Sequence, residues 1–268
     1  MQPSSDSTSS EKERIRSAYQ YYESNLRHQR KRDPRNIGTQ ANMKTRWEAI
    51  RRAYNRAGLQ RGAKVLDVGC GTGVDLLRLQ NEFQCLNLSL HGLDLLPNRI
   101  KQATDFASDV RFEVGSGDAL PYEDRTFQVV FSSMVLSSIL DDRMIRSVTE
   151  EMRRVVASDG VILCYDMRYT NPWNRHTRAI PTRLIPRLFP GFMVSYTPVT
   201  LLPPLARCLG PLTETAYGPL HELKPLRSHY LAELHRTEVE QKDDRTADTT
   251  KCTTLRLSRA GAKAELNG

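Results

Sequence analysis

The sequence predicts an α/β fold in which helices cover both faces of a doubly wound, mostly parallel sheet. Two observations predict it. Short apolar runs alternate with amphipathic helical segments from residue 64 onward, and a glycine-rich turn follows the first of these runs. The chain has 268 residues, of which 39% are hydrophobic, enough for one sizeable core with additions.

We expect five segments along the chain. Ser-rich residues 1–11 and the polar residues 237–268 are predicted to be disordered. Between them we predict N-terminal helices that form a lid (12–62), an α/β core (63–167) and a proline-rich cap that carries the remaining strands (168–236). The lid contains two helices, one with Ile15, Tyr19 and Tyr22 at helical spacing and one over residues 43–57.

The core elements are predicted in order from their apolar patterns. Strands are expected at residues 65–68, 88–95, 110–114, 127–131 and 161–165, and the cap adds strands near 192–199 and 228–234. Helices begin at Val74 and at Pro97, which suits a first helical turn. Another begins after Asp141 and Asp142, both plausible N-caps, and Asp159 with Gly160 is expected to end it.

The turn after the first strand contains Gly69, Gly71 and Gly73. Glycine adopts backbone angles closed to other residues and lets a ligand lie against the main chain. The free N–H groups of the following helix then face whatever occupies the turn. This pattern predicts a cradle for a nucleoside cofactor.

Polar residues follow the other strands of the predicted core. Asp94 ends the second strand, about 20 residues beyond the glycines, which is the spacing of a carboxylate that binds ribose hydroxyls. Asp118 follows the third strand, and Ser132 and Ser133 end the fourth. Since ligands of open parallel sheets bind beyond the carboxyl ends of the strands, we expect these residues around one site.

Together these segments resemble the class I S-adenosylmethionine-dependent methyltransferases, most closely the small-molecule, type 11 branch. The resemblance is carried by residues 66–73, 92–94, 117–122, 127–132 and 150–160. It implies a Rossmann-like sheet and S-adenosylmethionine as the cofactor. The implied contacts are Gly69, Cys70, Gly71 and Gly73 with the methionine part, Asp67 orienting the turn, Asp94 and Leu95 with the ribose, Asp118 and Ala119 with adenine, and Ser132 or Ser133 near the sulfonium.

The implied reaction transfers a methyl group to a hydroxyl, amine or carbon of a small molecule such as a sugar or glycan, a lipid-like compound or a secondary metabolite. Such a transfer needs alignment and, for a hydroxyl or amine, removal of one proton. Candidate proton acceptors are Asp166 at the end of the fifth strand, with Tyr169, His176 and His229 in the cap. The Asp/Asn-Pro-Pro-aromatic motif of nucleobase amino-methyltransferases is missing after the fourth strand.

Two alternatives stay open at this stage. A formal charge of +8 permits an RNA-binding or RNA-modifying protein on the same fold, although nucleic acid is the disfavoured partner because the basic residues are dispersed. An NAD(P)-dependent oxidoreductase is disfavoured because Asp67 would repel a pyrophosphate. Five scattered cysteines predict no metal site and a reducing, cytoplasmic location, and no apolar run is long enough to span a membrane.

Overall fold

The computed structural model describes residues 6–26, 30, 33–107 and 109–237. Two helices come first, α1 (Asp6–Ser24) and α2 (Ile37–Arg56). The core follows as β1 (Lys64–Val68), α3 (Val74–Glu82), β2 (Ser89–Asp94), α4 (Pro97–Phe106), β3 (Arg111–Val114), β4 (Phe127–Ser133), α5 (Asp142–Val155) and β5 (Val156–Met167). The cap contains α6 (Ile185–Leu188), β6 (Phe192–Pro198), α7 (Pro203–Cys208), α8 (Thr213–Glu222) and β7 (His229–Arg236).

The strands of the described ranges form one seven-stranded sheet in the order β3-β2-β1-β4-β5-β7-β6. Strands β1 to β5 run parallel, whereas β7 is antiparallel to both β5 and β6. This confirms the predicted doubly wound, mostly parallel sheet. Val68 at the end of β1 lies beside Leu93 of β2 and Ser132 of β4, so three strands end together where the strand order reverses. A ligand crevice is expected at this point of such a sheet.

Alternate residues of the central strands pack on opposite faces, because successive side chains of a strand point to opposite sides. Leu66 and Val130 pack with Met152 of α5 on one face. Val65 and Val129 pack with helix residues that include Ile50 of α2 on the other. Both faces are therefore covered, as parallel sheets require.

The N-terminal prediction needs a correction. Residues 6–11, expected to be disordered, belong to α1, while residues 1–5 lie outside the described residues. The physical reason is Glu11, whose buried carboxylate accepts the backbone N–H of Leu140 at 2.6 Å and pairs with Arg14 at 2.7 Å. These contacts fix the start of the helix against the core, so its serine-rich composition does not decide its structure.

The second helix also starts earlier than predicted. It begins at Ile37, because the Asn36 side chain caps it by accepting the backbone N–H of Thr39 at 2.9 Å. In the basic stretch 27–35 that precedes it, residues 27–29, 31 and 32 lie outside the described ranges.

The prediction that Asp159 and Gly160 end a helix is also wrong. Helix α5, capped by Asp141 as expected, ends at Val155, and β5 begins with the next residue. Gly160 lies inside β5, where a Cβ would meet Gln128 O at 2.8 Å. The glycine therefore permits a close approach of two strands and does not terminate a helix.

The cap strands agree with the sequence pattern. β6 and β7 cover the predicted ranges 192–199 and 228–234 to within two residues at either end. The predicted C-terminal tail lies outside the described residues from 238 onward. Of the helices in the described part of the chain, none combines the length and the apolar character needed to cross a membrane.

Candidate functional site

The turn between β1 and α3 has a backbone that only glycine adopts easily. Gly69, Gly71 and Gly73 have φ values of 73°, 57° and 74°. A Cβ on Gly69 would lie 2.4 Å from Val135 Cγ2, and one on Gly73 would lie 2.7 Å from Phe112 Cζ. The positive φ values and the lack of room for a Cβ both explain why the sequence has glycines here. At the glycines the turn therefore presents main chain without side chains to the crevice.

Asp94 connects this turn to the end of β2. Its Oδ2 accepts the backbone N–H of Gly71 at 2.8 Å, and its Oδ1 accepts that of Leu96 at 2.9 Å. Burial raises the pKa of Asp94, and these two N–H groups offset part of that rise. The carboxylate therefore holds the glycine turn in place, a role in addition to the ribose contact that the sequence suggested.

One cavity lies beyond the ends of the strands and is roofed by α1. This strand-end cavity has a volume of about 190 Å³. Its lining residues are Ile15, Tyr19, Val68, Gly69, Leu93, Asp94, Leu95, Leu96, Arg99, Gly115, Ser116, Gly117, Ser133, Val135, Ser138, Ile139, Met144 and Val148. In the described structure the buried Oγ of Ser116 has no hydrogen-bond partner, so the cavity offers an unused polar contact.

A second cavity lies over the glycine turn. This turn cavity has a volume of about 410 Å³. Its lining residues are Met43, Arg46, Asp67, Gly69, Cys70, Gly71, Thr72, Val74, Asp75, Arg78, Arg99 and Ser133. It shares Gly69, Arg99 and Ser133 with the strand-end cavity, so the two cavities adjoin at these three residues.

The turn cavity contains an unpaired acid. Asp67 is 2% exposed, and no hydrogen-bond partner for its Oδ1 exists among the described residues. Burial raises the pKa of Asp67 well above its usual value, and the nearby Asp75 carboxylate adds to the rise. A cationic donor in the cavity would relieve both effects.

Beside Asp67, a charged network joins α2, α3 and β4. Both guanidinium Nη atoms of Arg46 bond the Asp75 carboxylate, at 2.9 and 2.6 Å, and Nη2 also donates to Ser133 Oγ at 2.7 Å. The guanidinium lies 4.8 Å from the centre of the Tyr165 ring. Burial lowers the pKa of Arg46, but the Asp75 carboxylate outweighs it, so Arg46 stays charged.

The structure brings together most of the residues predicted to bind the cofactor. The strand-end cavity is lined by Gly69, Asp94, Leu95 and Ser133, and the turn cavity adds Asp67, Cys70 and Gly71. Gly73 supports the turn from behind as the N-cap of α3. Ser132 differs, because its buried hydroxyl points to Cys164 Sγ at 3.5 Å, so Ser133 alone of the two serines lines the cavities.

Neither Asp118 nor Ala119 lines the strand-end cavity, although the preceding residue Gly117 does. Ala119 is exposed. Asp118 Oδ2 pairs with Lys12 Nζ of α1 at 2.9 Å, and its Oδ1 is buried with no hydrogen-bond partner in the described part of the chain. This ion pair holds α1 against the loop after β3.

The residues predicted to act in catalysis are engaged in structural contacts. Asp166 is buried and accepts the backbone N–H groups of Ser137 at 3.1 Å and Met167 at 2.8 Å. Burial raises the pKa of Asp166 to about 6. Tyr169 is partly exposed and donates its hydroxyl to Pro225 O at 3.3 Å.

The two histidine candidates lie in different surroundings. His176 contacts Tyr21 and Tyr22 of α1, with ring centres 5.9 Å apart in both pairs. His229 stacks on Tyr165 at 5.2 Å, and burial, followed by the Arg46 charge, lowers its pKa to about 4. Of the described residues that line the two cavities, none is Asp166, Tyr169, His176 or His229.

Sequence reasoning missed Arg46, Arg99 and Lys12. Arg99 lies five positions after Asp94 on the first turn of α4, so its closeness to the cofactor site was a detectable signal. Arg46 and Lys12 reach the site from helices far away in the chain, and no local pattern marks them. Tyr19, which lies on the first helix of the predicted lid, lines the strand-end cavity.

Comparison with known proteins agrees with this geometry. Residues 65–160 match the family model described as a methyltransferase domain. Ajmaline N-methyltransferase of Rauvolfia serpentina is 29% identical over 154 residues, which cover 53% of this chain and 50% of that protein. Demethylmenaquinone methyltransferase of Bacillus pumilus is 30% identical over 114 residues, covering 40% of this chain and 47% of that protein. The matches thus span about half the length of these curated relatives.

A solved structure supports the fold. The complex between the Haloferax volcanii Trm112 methyltransferase activator and the putative methyltransferase contains a chain that superposes with a TM-score of 0.55 at 19% identity. The match covers 77% of this chain and 96% of that chain. The same sheet with its flanking helices is therefore found in both.

Proposed function

We propose that this chain, which belongs to the class I S-adenosylmethionine-dependent methyltransferases, transfers a methyl group from S-adenosylmethionine to a hydroxyl, amine or carbon of a small molecule. Sugars or glycans, lipid-like compounds and secondary metabolites are the acceptor classes we favour. The observation that carries the proposal is the pair of adjoining cavities at the strand ends, with buried polar atoms left unpaired in the described structure. Such atoms are costly unless a ligand satisfies them.

The residues present fit this cofactor. The unpaired Asp67 oxygen suits the ammonium of the methionine part, and the bare backbone of the glycine turn gives that part room. Asp94 and Ser116 line the strand-end cavity and suit the ribose hydroxyls and the purine. When bound, the cofactor supplies a methyl group already activated on a sulfonium.

The protein then has to bind the cofactor and the acceptor, orient them for the transfer and shield them from water. Arg46 and Asp75 fix Ser133 at the junction of the cavities, and α1 covers the strand-end cavity with Ile15 and Tyr19. Alignment of two reactants accounts for much of the acceleration in such a transfer.

For the proton of a hydroxyl or amine acceptor, we propose His176 as the acceptor group, with Tyr169 as the second choice. His176 is a cap residue whose ring contacts Tyr21 and Tyr22 of α1, the helix that covers the strand-end cavity. Asp166, by contrast, lines neither cavity, and its two carboxylate oxygens accept backbone N–H groups, which together support a positioning role.

The test measures binding first. Isothermal titration with S-adenosylmethionine is expected to show one site per chain, and Asp67→Asn to weaken it at least tenfold because the ammonium loses its anionic partner. Asp105→Asn, an exposed position on α4, serves as the matched control and should bind like the wild type. Absence of binding to folded wild-type protein would overturn the proposal.

Methyl transfer is then screened by mass spectrometry over pools of sugars, quinones, amines and phenols. An acceptor that gains 14 mass units identifies the substrate class. Salt-sensitive RNA binding without S-adenosylmethionine binding would instead favour the nucleic-acid alternative. Binding of NAD(P) alone would favour the oxidoreductase, which the acidic Asp67 in the turn cavity opposes.

A further inference from the structure

Arg99 introduces a positive charge at the junction of the two cavities, which it shares with Gly69 and Ser133. Its side chain is 16% exposed and its guanidinium lies 4.3 Å from the centre of the Tyr19 ring. Its Nε donates to Glu23 Oε1 at 3.1 Å. Glu23 belongs to α1, so the charge of Arg99 is balanced by the helix that roofs the site.

The position of the Arg99 guanidinium matters because the charge of the cofactor's sulfur changes during the reaction, an inference that rests on the proposed function. In S-adenosylmethionine the sulfur joins the nucleoside to the amino-acid part. With the nucleoside in the strand-end cavity and the amino-acid part in the turn cavity, the sulfur lies at the junction of the two cavities. There it is a sulfonium cation, whereas in the product S-adenosylhomocysteine it is a neutral thioether. A guanidinium at the junction therefore disfavours the donor and leaves the product unaffected.

Glu23 acts in the opposite direction. Its carboxylate bonds Arg99 and also accepts Asn98 Nδ2 at 3.2 Å, on the first turn of α4. Its charge is felt inside the site, because it adds to the rise that burial causes in the pKa of Asp94. The electrostatic balance at the junction thus depends on a side chain supplied by α1.

We propose that the Glu23–Arg99 pair determines the discrimination between methyl donor and demethylated product. With α1 seated, Glu23 neutralises Arg99 and the site accepts a sulfonium. Without the carboxylate, Arg99 loses its ion-pair partner on α1, the positive charge at the junction increases and the site favours the neutral product. Both residues act through their charge on the affinity for the two ligands, and neither forms or breaks a bond in the reaction.

The experiment compares the Kd for S-adenosylmethionine with the Kd for S-adenosylhomocysteine by titration calorimetry on the full chain. Glu23→Gln is expected to weaken the donor relative to the product by about threefold to tenfold, a range set by partial solvent screening. Arg99→Met is expected to shift the ratio in the opposite direction by a similar factor. The double variant should return close to the wild-type ratio, because the two charges cancel.

Controls separate charge from folding. Glu13→Gln removes an exposed carboxylate from the same helix and should leave the ratio unchanged. Arg99→Lys keeps the charge and should resemble the wild type, which also provides a test if Glu23→Gln destabilises α1. Thermal melts of each variant verify that the chain is folded.

Equal changes in both Kd values for every variant would overturn the proposal, since that result means Arg99 only stacks on the purine or packs on Tyr19. A ratio that moves in the wrong direction for Arg99→Met would overturn it too. If wild-type protein binds neither ligand, it is the proposed function that fails, and the two failures are thus distinguishable.

Discussion

The donor side of the molecule, at the ends of β1 to β4, differs from the cap side, at the end of β5 and in residues 168–236. On the donor side, Asp67 Oδ1, Ser116 Oγ and Asp118 Oδ1 are buried without hydrogen-bond partners among the described residues. On the cap side, Asp166 accepts two backbone N–H groups and Tyr165 bonds Thr200 at 2.5 Å.

The location of the unpaired atoms separates the two sides. Asp67 and Ser116 line the two cavities, whereas Arg178 Nε and His221 Nε2 of the cap, also buried and unpaired in the described part of the chain, belong to residues outside both cavities. An unpaired buried polar group costs about 1–3 kcal/mol, so three of them together are expected where a ligand supplies the missing partners.

Asp166 lines neither cavity, so its two backbone contacts stabilise the free protein, whereas Asp94 makes two such contacts and also lines the strand-end cavity. The donor side is therefore built around a ligand, while the inner part of the cap side holds the sheet together.

Asp94→Ala should have the largest effect, because it removes an acid that serves both the ligand and the glycine turn. Two charge-assisted hydrogen bonds to Gly71 and Leu96 are lost, which costs roughly 3 kcal/mol of unfolding free energy. The Kd for S-adenosylmethionine should rise at least 100-fold in calorimetry. Asp105→Ala controls for the loss of a carboxylate, and a Kd within threefold of wild type for Asp94→Ala would contradict the assignment of the donor side.

Asp166→Asn tests the structural role assigned to the cap side through pH. The folded-state pKa of about 6 exceeds the ordinary value of 3.8, so the native state binds this proton more tightly than the unfolded state. The contribution of Asp166 to the free energy of unfolding is fully present below pH 4 and is lost as pH rises through about 6. The loss amounts to roughly 3 kcal/mol. Urea unfolding of wild type between pH 4 and 7 should show this loss, and Asp166→Asn should not.

Asp142→Asn provides a control of opposite sign. Its carboxylate is paired with Arg178, whose hydrogen bond lowers its pKa, so its contribution is present above pH 4 and falls as pH drops. Neither substitution should change the Kd for S-adenosylmethionine by more than about twofold. A stability difference between wild type and Asp166→Asn that is the same at pH 4.5 and pH 7 would show that Asp166 is not held as the structure indicates.

The donor side was largely predictable from the sequence because its signals are local. An apolar strand followed by Gly69, Gly71 and Gly73 dictates a turn with positive φ, and Asp94 follows at the spacing set by one βαβ unit. The parallel sheet then brings the strand ends together without further information. The sequence does not indicate which side chain at the end of β4 faces the cavities, so it does not distinguish Ser132 from Ser133.

Contacts between distant segments were not predictable. Arg46 and Ser133 are 87 positions apart, and nothing in either local pattern indicates that they meet. The start of α1 was missed for the same reason, since the buried Glu11 contacts a loop 129 positions away. On the cap side the sequence indicates only the chemistry of each side chain, and this does not reveal whether a carboxylate such as Asp166 already has hydrogen-bond partners.

Gly69→Ala tests whether the donor side depends on space as well as on backbone angle. Gly69 and Gly58 both have positive φ, but only at Gly69 does a Cβ collide with a neighbour, Val135 Cγ2 at 2.4 Å. We expect Gly58→Ala to cost about 1 kcal/mol from backbone strain and Gly69→Ala about 2 kcal/mol more from overpacking. Chemical denaturation measures both, and equal losses would contradict the collision.

A second substitution sharpens this comparison. Val135→Ala removes the Cγ2 methyl group that would collide, so the double variant Gly69→Ala/Val135→Ala should recover part of the loss relative to the sum of the single changes. Strict additivity would mean that the strain lies in the backbone alone.

Lys12→Ala should have the smallest effect, because its ion pair is partly exposed. Lys12 Nζ contacts Asp118 Oδ2 at 2.9 Å and is one of several links between α1 and the core. Such a pair contributes up to about 1 kcal/mol, so the Kd for S-adenosylmethionine should rise by only about twofold to fivefold. Arg16→Ala, which removes a more exposed pair with Glu13 on the same helix, should leave the Kd unchanged. The effect of Lys12→Ala on the Kd should shrink at high salt. Equal effects of Lys12→Ala and Arg16→Ala on the Kd would mean that α1 acts through its helix stability and not through its contact with the loop after β3.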